Sequence, residues 1–273
     1  MMRPTMLLII IYALILPVIG FGQFKVAPLG NTIYEGVFTG NGLLGTMTYL
    51  SGKKSVRIDI GRTDVYDHRA NSEDKLFDKG RLSLGYFDLD LGSAIVQSRG
   101  DIYLKEAYAV ATISTDQGQI KVKTTTLSND NVILLEVLKQ DFKGKYSFNW
   151  VADSAISPRM KFSYTQKPKA YLANPAGKNG QQGRIKYYEQ ALIAGGGYTT
   201  AYLLRSTKDM DTYVITVGYN QKSADFTQET LAYLLKFGAR EINTGLKEHR
   251  QWWTSYFKAS TLELPDSTYQ GFY

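Results

Sequence analysis

Apolar and polar residues alternate with a period of two through most of this chain, from residue 23 to about residue 220. The pattern is clear in SVRIDI at 55–60, in QIKVK at 119–123 and in YSFNW at 146–150. Such alternation buries one face of a strand and exposes the other. Turn signals such as SGKK at 51, DQGQ at 116 and AGGG at 194 separate the segments. Because no long helical period lies between them, we expect a mainly β fold, a large antiparallel β-sandwich over residues 23–222.

Two stretches depart from the alternation. NVILLEVL at 131–138 is a longer apolar run, which suits a strand that is buried on both faces. Residues 158–183 are polar and contain three prolines. They predict a long surface loop with room for one short strand.

A helical period replaces the alternation after residue 220. A first apolar face is formed by Leu231, Leu234, Leu235, Gly238, Ala239 and Ile242. We expect a break at Asn243-Thr244-Gly245, and then a second helix with Leu246, His249, Trp253, Tyr256 and Phe257 on one side. These helices form a predicted linker at 223–262. The aromatic residues after Pro265 predict that residues 263–273 begin a further helical domain, inside which the chain stops.

The first 22 residues resemble a secretory signal peptide. Arg3 precedes an apolar run, and Gly20-Phe21-Gly22 offers small residues for cleavage before Gln23. The alternative is a membrane anchor, but the run of about 14 residues is shorter than the roughly 20 that a helix needs to span a bilayer. We expect an exported protein, periplasmic or secreted, with no membrane association after cleavage. The chain has no cysteine, so it has no disulfide framework.

The charge distribution argues against a nucleic-acid partner. The formal net charge is +7, and the basic residues are scattered among acidic ones. Nucleic-acid binding needs a concentrated basic surface. The 20 Tyr, 12 Phe and 3 Trp residues fit either strand formation or a sugar-binding surface, and composition alone does not separate these.

The stretch TGNGLLGTM at 39–47 has the glycine spacing of a dinucleotide-binding turn, with Gly40, Gly42 and Gly45. That motif requires a helix directly after the turn. Here TMTYLSG follows, which predicts a strand. The glycines are therefore expected to allow a tight loop and close backbone packing rather than to bind a nucleotide.

The densest polar cluster is GRTDVYDHRA at 61–70, which follows a predicted strand. Asp64, Asp67, His68 and Arg69 are candidates for contacting substrate or a neighbouring domain, because loops on a rigid scaffold often carry function. The alternative is a local network of salt bridges and turns. With two histidines and no cysteine in the chain, we expect no metal site, and nothing predicts a cofactor.

Aromatic residues crowd the second predicted helix and its continuation. Trp252, Trp253 and Phe257, together with Tyr269 further on, are candidates for packing between domains. Stacking of Trp252 or Trp253 on a sugar is the alternative, although adjacent residues on a helix face different ways.

These features together resemble the N-terminal half of glycoside hydrolase family 95 and related enzymes, the α-L-fucosidase-like group with an (α/α)6 barrel. The matching residues are Gly40-Asn41-Gly42, Leu44-Gly45, Trp252-Trp253, Phe257, Ser260, Leu264-Pro265-Asp266 and Tyr269. The resemblance implies a β-supersandwich, two linker helices and the start of the barrel at 263–273. It also implies that the catalytic groups lie in the missing barrel, so none is assigned in this chain. IDIGRTDVYDHR at 58–69 replaces the family's LNEDTLWSG-like segment and marks a divergent subgroup.

The expected function is therefore that of a non-catalytic N-terminal portion of an exported glycoside hydrolase. Its partners would be the carbohydrate substrate of the full enzyme and the missing barrel domain. The parent would hydrolyse O-glycosyl bonds, and this chain alone would be inactive. A stand-alone carbohydrate-binding β-sandwich and a periplasmic structural domain without a ligand are the alternatives.

Overall fold

The computed structural model describes residues 23–68, 80–139, 141–157, 172–259 and 264–266. The predicted signal peptide, Arg69, Ser260 and Tyr269 lie outside the described residues.

The described residues form two sheets, of which the larger has nine strands, and every hydrogen-bonded pair of neighbours is antiparallel. In spatial order they are β1 (Gln23–Val26), β6 (Ile95–Tyr103), β7 (Tyr108–Thr115), β8 (Gly118–Thr126), β9 (Ile133–Leu138), β14 (Met210–Asn220), β13 (Gly197–Ser206), β12 (Ile185–Ala191) and β11 (Lys178–Gln182).

The smaller sheet has five strands, again antiparallel. Their order is β10 (Ser147–Ala152), β5 (Gly85–Asp90), β4 (Ser55–Arg62), β3 (Leu44–Ser51) and β2 (Val37–Gly40). A short 3-10 turn, Ile33–Glu35, precedes β2. The prediction of a mainly β fold with a large antiparallel β-sandwich is confirmed.

The main core lies between the two sheets and is built by the period-two pattern. In β4, Val56, Ile58 and Ile60 are buried while their neighbours are partly exposed. Phe87 of β5 is fully buried and its ring stacks on Phe148 at 4.6 Å. Alternation in the sequence therefore translates directly into a buried inner face on each sheet.

The first half of strand β9 is buried on both faces, as its continuous apolar run predicted. Ile133, Leu135 and Val137 belong to the main core. Leu134 points the opposite way, into a second apolar cluster that Leu231 and Leu234 of the following helix help to form. Further along, this second face opens towards solvent, since Glu136 pairs with Lys123 and Leu138 is 36% exposed.

In the part of the chain that the structure describes, β14 is followed by α1 (Phe226–Leu235) and α2 (Ala239–Ala259). The predicted break at Asn243-Thr244-Gly245 was wrong, because these residues lie inside α2. The chain turns instead at 236–238, where Phe237 enters the second cluster with 6% of its surface exposed. Leu235 had been assigned to the apolar face and is 64% exposed.

Gly245 has a packing reason to sit inside a helix. A Cβ atom at this position would lie 3.0 Å from Leu127 Cδ1. The glycine thus lets α2 approach the loop between β8 and β9 closely, and this contact outweighs its poor helix propensity.

The polar stretch at 158–183 contains one short strand among its described residues, β11, which pairs with β12. Neither described helix is long and apolar enough to cross a membrane.

Candidate functional site

The glycine stretch forms the hairpin between β2 and β3. Gly42 has φ 88°, a conformation that favours glycine. Residues after Gly45 continue as β3, as predicted, so the turn is not followed by the helix N-terminus that a dinucleotide site needs.

Asn41 ties this hairpin to the rest of the sandwich. Its Oδ1 accepts hydrogen bonds from the N–H groups of Leu43 and Leu44 at 3.0 and 2.8 Å. Its Nδ2 donates to the carbonyl oxygens of Leu127 and Asp130 at 2.8 and 3.1 Å. One side chain therefore closes the turn and holds it against the loop between β8 and β9.

The same loop is held by both helices, so hairpin, loop and helices meet at one end of the sandwich. The Tyr233 hydroxyl on α1 accepts from the Asn131 N–H at 3.1 Å and lies 3.4 Å from Asp130 Oδ1. His249 on α2 is 1% exposed and bridges the Ser128 N–H and the Glu106 carbonyl. Burial lowers the pKa of His249, so the ring is neutral at pH 7.

Arg62 anchors the predicted polar loop at this end. Its Nε and Nη2 donate to Asp64 at 2.7 and 3.0 Å, and its Nη1 donates to the Val217 carbonyl of β14. The Arg62 side chain is 10% exposed and that of Asp64 is 43% exposed. The guanidinium thus links the two sheets and presents the Asp64 carboxylate to solvent.

The predicted site residues on this loop do not share one environment. Asp67 is fully buried, and its Oδ2 accepts from Asn174 Nδ2 at 3.1 Å. His68 is half-buried, with its ring 5.7 Å from that of Tyr66. Asp67 therefore supports the loop from inside, whereas Asp64 and His68 retain exposed surface.

A small cavity of about 190 Å³ opens beside Arg62. It is lined by side chains from β14 and α1, including Tyr219, Glu229 and Thr230, and by Asn131. Burial, with the negative charge of Asp64 next, raises the pKa of Tyr219, so its phenol stays protonated. Sequence reasoning missed these residues because they come from distant segments that carry no polar motif of their own.

The C-terminal half of α2 carries an aromatic ridge, made of Trp252, Trp253, Tyr256 and Phe257. Trp252 is 42% exposed and Tyr256 57% exposed. Their rings stack at 5.4 Å with an interplanar angle of 8°. Trp253 and Phe257 are half-buried against them.

Within the described ranges, no group of three or more His, Asp or Glu side chains is arranged to hold a metal ion.

Comparison with known proteins gave matches among solved structures alone. No protein-family model matches the sequence, and no curated protein matches it. One solved structure that is similar is described as "Putative kojibiose phosphorylase from human microbiome". It shares 12% sequence identity with a TM-score of 0.48, over 84% of this chain and 33% of that protein. The chain thus spans about a third of the length of the protein it matches.

Proposed function

We propose that this chain is the non-catalytic N-terminal portion of an exported glycoside hydrolase, and that α1 and α2 link the sandwich to a downstream catalytic domain. The observation that carries the proposal is the aromatic ridge on α2. Its exposed rings lie on the last turns of a helix that is fixed to the sandwich by its first turns.

The two halves of α2 have different surroundings. Gly245 and His249 in the first half are buried against the sandwich loops. Trp252 and Tyr256 in the second half keep large exposed surfaces. A contiguous exposed aromatic patch on a well-anchored element marks an interaction surface. The resemblance of Trp252-Trp253, Phe257 and Leu264-Pro265-Asp266 to the passage that leads into an (α/α)6 barrel supports a catalytic domain as the partner.

The polar loop is proposed to face that partner. Asp64 and His68 keep exposed surface, and Arg69 follows them directly in the chain. We propose that these three residues contact the glycan substrate or the downstream domain. Asp67 holds the loop in place through Asn174.

Cleavage of glycosidic bonds uses two carboxyl groups on either side of the scissile bond. We assign that pair to the downstream domain, and the family resemblance points to α-L-fucosides or related glycosides as the substrates. Export is proposed from residues 1–22, and N-terminal sequencing of the protein from its native host tests it. The proposal predicts a mature chain that begins at Gln23.

The central test is to read the gene directly after the Tyr273 codon and to express the longer protein if the frame continues. We expect a helical domain downstream, and release of p-nitrophenol from p-nitrophenyl α-L-fucoside or a related glycoside by the long form alone. In the long form, H68A should lower kcat/KM, whereas K54A, in the exposed turn at 52–54, should not. A stop codon immediately after Tyr273 would overturn the proposal.

A further inference from the structure

A groove crosses the outer face of the five-stranded sheet, next to the start of the polar loop, where Arg81 pairs with Tyr66 in an isolated bridge. The strand registers align two rows of residues across this face. Gly40, Gly45 and Gly61 are cross-strand partners in one row. In the next row, two residues along each strand, Phe38, Met47, Asp59 and Tyr86 are partners. Gly45 and Gly61 of the first row line the floor of the groove, and Phe38, Met47 and Asp59 of the second row line one wall.

The two central glycines have no internal reason to be glycine. Neither Gly45 nor Gly61 has a positive φ. A Cβ on Gly61 would meet nothing closer than 4.0 Å, and one on Gly45 nothing closer than 3.4 Å. Gly85 on the neighbouring strand is different, because its φ is 135° and a Cβ would lie 2.4 Å from the Val151 carbonyl. Glycine inside a strand costs roughly 0.5–1 kcal/mol relative to alanine.

The wall of the groove carries a carboxylate in a fixed orientation. Asp59 Oδ2 accepts from the Tyr49 hydroxyl at 2.8 Å, and Oδ1 accepts from Arg57 Nε at 2.7 Å. The guanidinium of Arg57 lies over the Tyr86 ring, 3.6 Å from its centroid. Burial, and then the bond to Asp59, raise the pKa of Tyr49 to about 12, so the phenol remains a donor. Each carboxylate oxygen has one bond and can accept another.

Apolar surface and a second cation complete the groove. At one end Phe38 is 53% exposed and Ile33 is 45% exposed. At the other end Arg81 is exposed. The volume is about 460 Å³, within the range of small-ligand sites.

We propose that this groove is a second, non-catalytic site that binds a neutral saccharide. An exposed aromatic ring offers an apolar face for sugar C–H groups, while Asp59 accepts and Arg57 donates hydrogen bonds to hydroxyls. The choice of a saccharide over other small polar ligands rests on the proposed function.

Two other ligand classes fit less well. A peptide that adds a strand would run along the edge of the sheet, whereas this groove crosses the strands. An anion would be repelled by the Asp59 carboxylate, which lies in the middle of the wall. The glycine floor suits a flat ring that approaches the backbone closely.

The test is isothermal titration of the mature chain, residues 23–273, with cellobiose, lactose, xylobiose and 2′-fucosyllactose, and with digalacturonate as the anionic comparison. We expect at least one neutral sugar to bind, with F38A and G61V each weakening it tenfold or more. Valine at 61 fits the open space and favours a strand, so G61V should melt no lower than the wild type. S147V, on the exposed face of β10, is the matched control and should bind as the wild type does.

Absence of binding by every neutral sugar would overturn the proposal, as would full affinity in both F38A and G61V. Tighter binding of digalacturonate than of the neutral sugars would overturn the assignment of a neutral ligand. These outcomes are separate from the gene-based test, since a chain without a downstream domain can still bind sugar through this groove.

Discussion

The imidazole Nδ1 of His249 accepts a hydrogen bond from the backbone N–H of Ser128 at 3.1 Å, across 121 residues of sequence. The opposite nitrogen, Nε2, lies 3.0 Å from the Glu106 carbonyl oxygen. Since Nδ1 accepts, Nε2 must carry the proton and donate. This neutral ring fastens α2 to two loops of the nine-stranded sheet, and it decides which part of the helix is fixed and which part is free.

We expect H249A to destabilise the chain by about 2–4 kcal/mol, because it removes both hydrogen bonds and leaves a cavity beside a buried N–H group. Urea unfolding followed by fluorescence measures the change. E248A, at the adjacent exposed position, should differ from the wild type by less than about 0.5 kcal/mol.

The contribution of His249 should also depend on pH. Its folded pKa is lowered by burial, so between that value and the usual 6.5 the unfolded chain binds a proton that the folded chain does not. Stability must therefore fall as pH drops below about 6.5. The difference in unfolding free energy between wild type and H249A should shrink from pH 7.5 to pH 5. A difference that is constant over this range would contradict the neutral buried ring.

Asn41 should tolerate even an isosteric change poorly. N41D replaces a donor to two carbonyl oxygens with a charged acceptor, so we expect a loss of about 2–4 kcal/mol at pH 7. The exposed residue Asn179 on β11 faces Tyr188 across the strands and provides the control, so N179D should be nearly neutral in the same thermal melts. Equal melting temperatures for the two variants would show that the hairpin does not depend on the Asn41 bridge.

Arg62 should not be replaceable by lysine. R62K keeps the positive charge, but a lysine cannot make the bidentate contact with Asp64 and also donate to the Val217 carbonyl. We therefore expect the free energy of unfolding to fall by about 1–3 kcal/mol. A double-mutant cycle with D64N measures the coupling between the two side chains. Because Asp64 is 43% exposed, we expect most of the loss to persist in the D64N background. Complete rescue by D64N would assign the whole effect to the ion pair.

The aromatic ridge should control association rather than stability. Replacing both Trp252 and Tyr256 by Ser removes exposed apolar surface, so the mature chain from Gln23 onward should become less prone to self-association. Its melting temperature should change little, since both rings are largely outside the core. Sedimentation velocity over a range of concentrations checks this. A large fall in melting temperature would show that the ridge belongs to the fold of the sandwich.

The sequence predicted strands and helices well wherever buried and exposed positions alternate with a regular period. Alternation in β4 predicted a strand with one buried face. The continuous apolar run of β9 predicted a strand buried on both faces. TMTYLSG after Gly45 predicted a strand, and this excluded a dinucleotide-binding turn, which requires a helix at that point. The helices were also predicted, because a 3.6-residue period is visible without knowing the partner.

The sequence misplaced the turn between the helices for a physical reason. Asn243-Thr244-Gly245 has low helix propensity, and local propensity is what a sequence displays. The packing of Gly245 against Leu127 and the insertion of Phe237 into the second cluster outweigh that propensity. Both contacts join segments that are far apart in sequence.

The class of the fold can be predicted from the sequence alone, since strand and helix periods are local patterns of side-chain burial. Which polar residues contact one another depends on the three-dimensional packing of the chain. Arg62 meets Val217 across 155 residues, Asp67 meets Asn174 across 107, and Gly45 and Gly61 form one floor through strand register. Such contacts depend on how strands pair and layers pack. No local sequence pattern predicts these contacts, because the residues around each contacting side chain are compatible with many strand pairings.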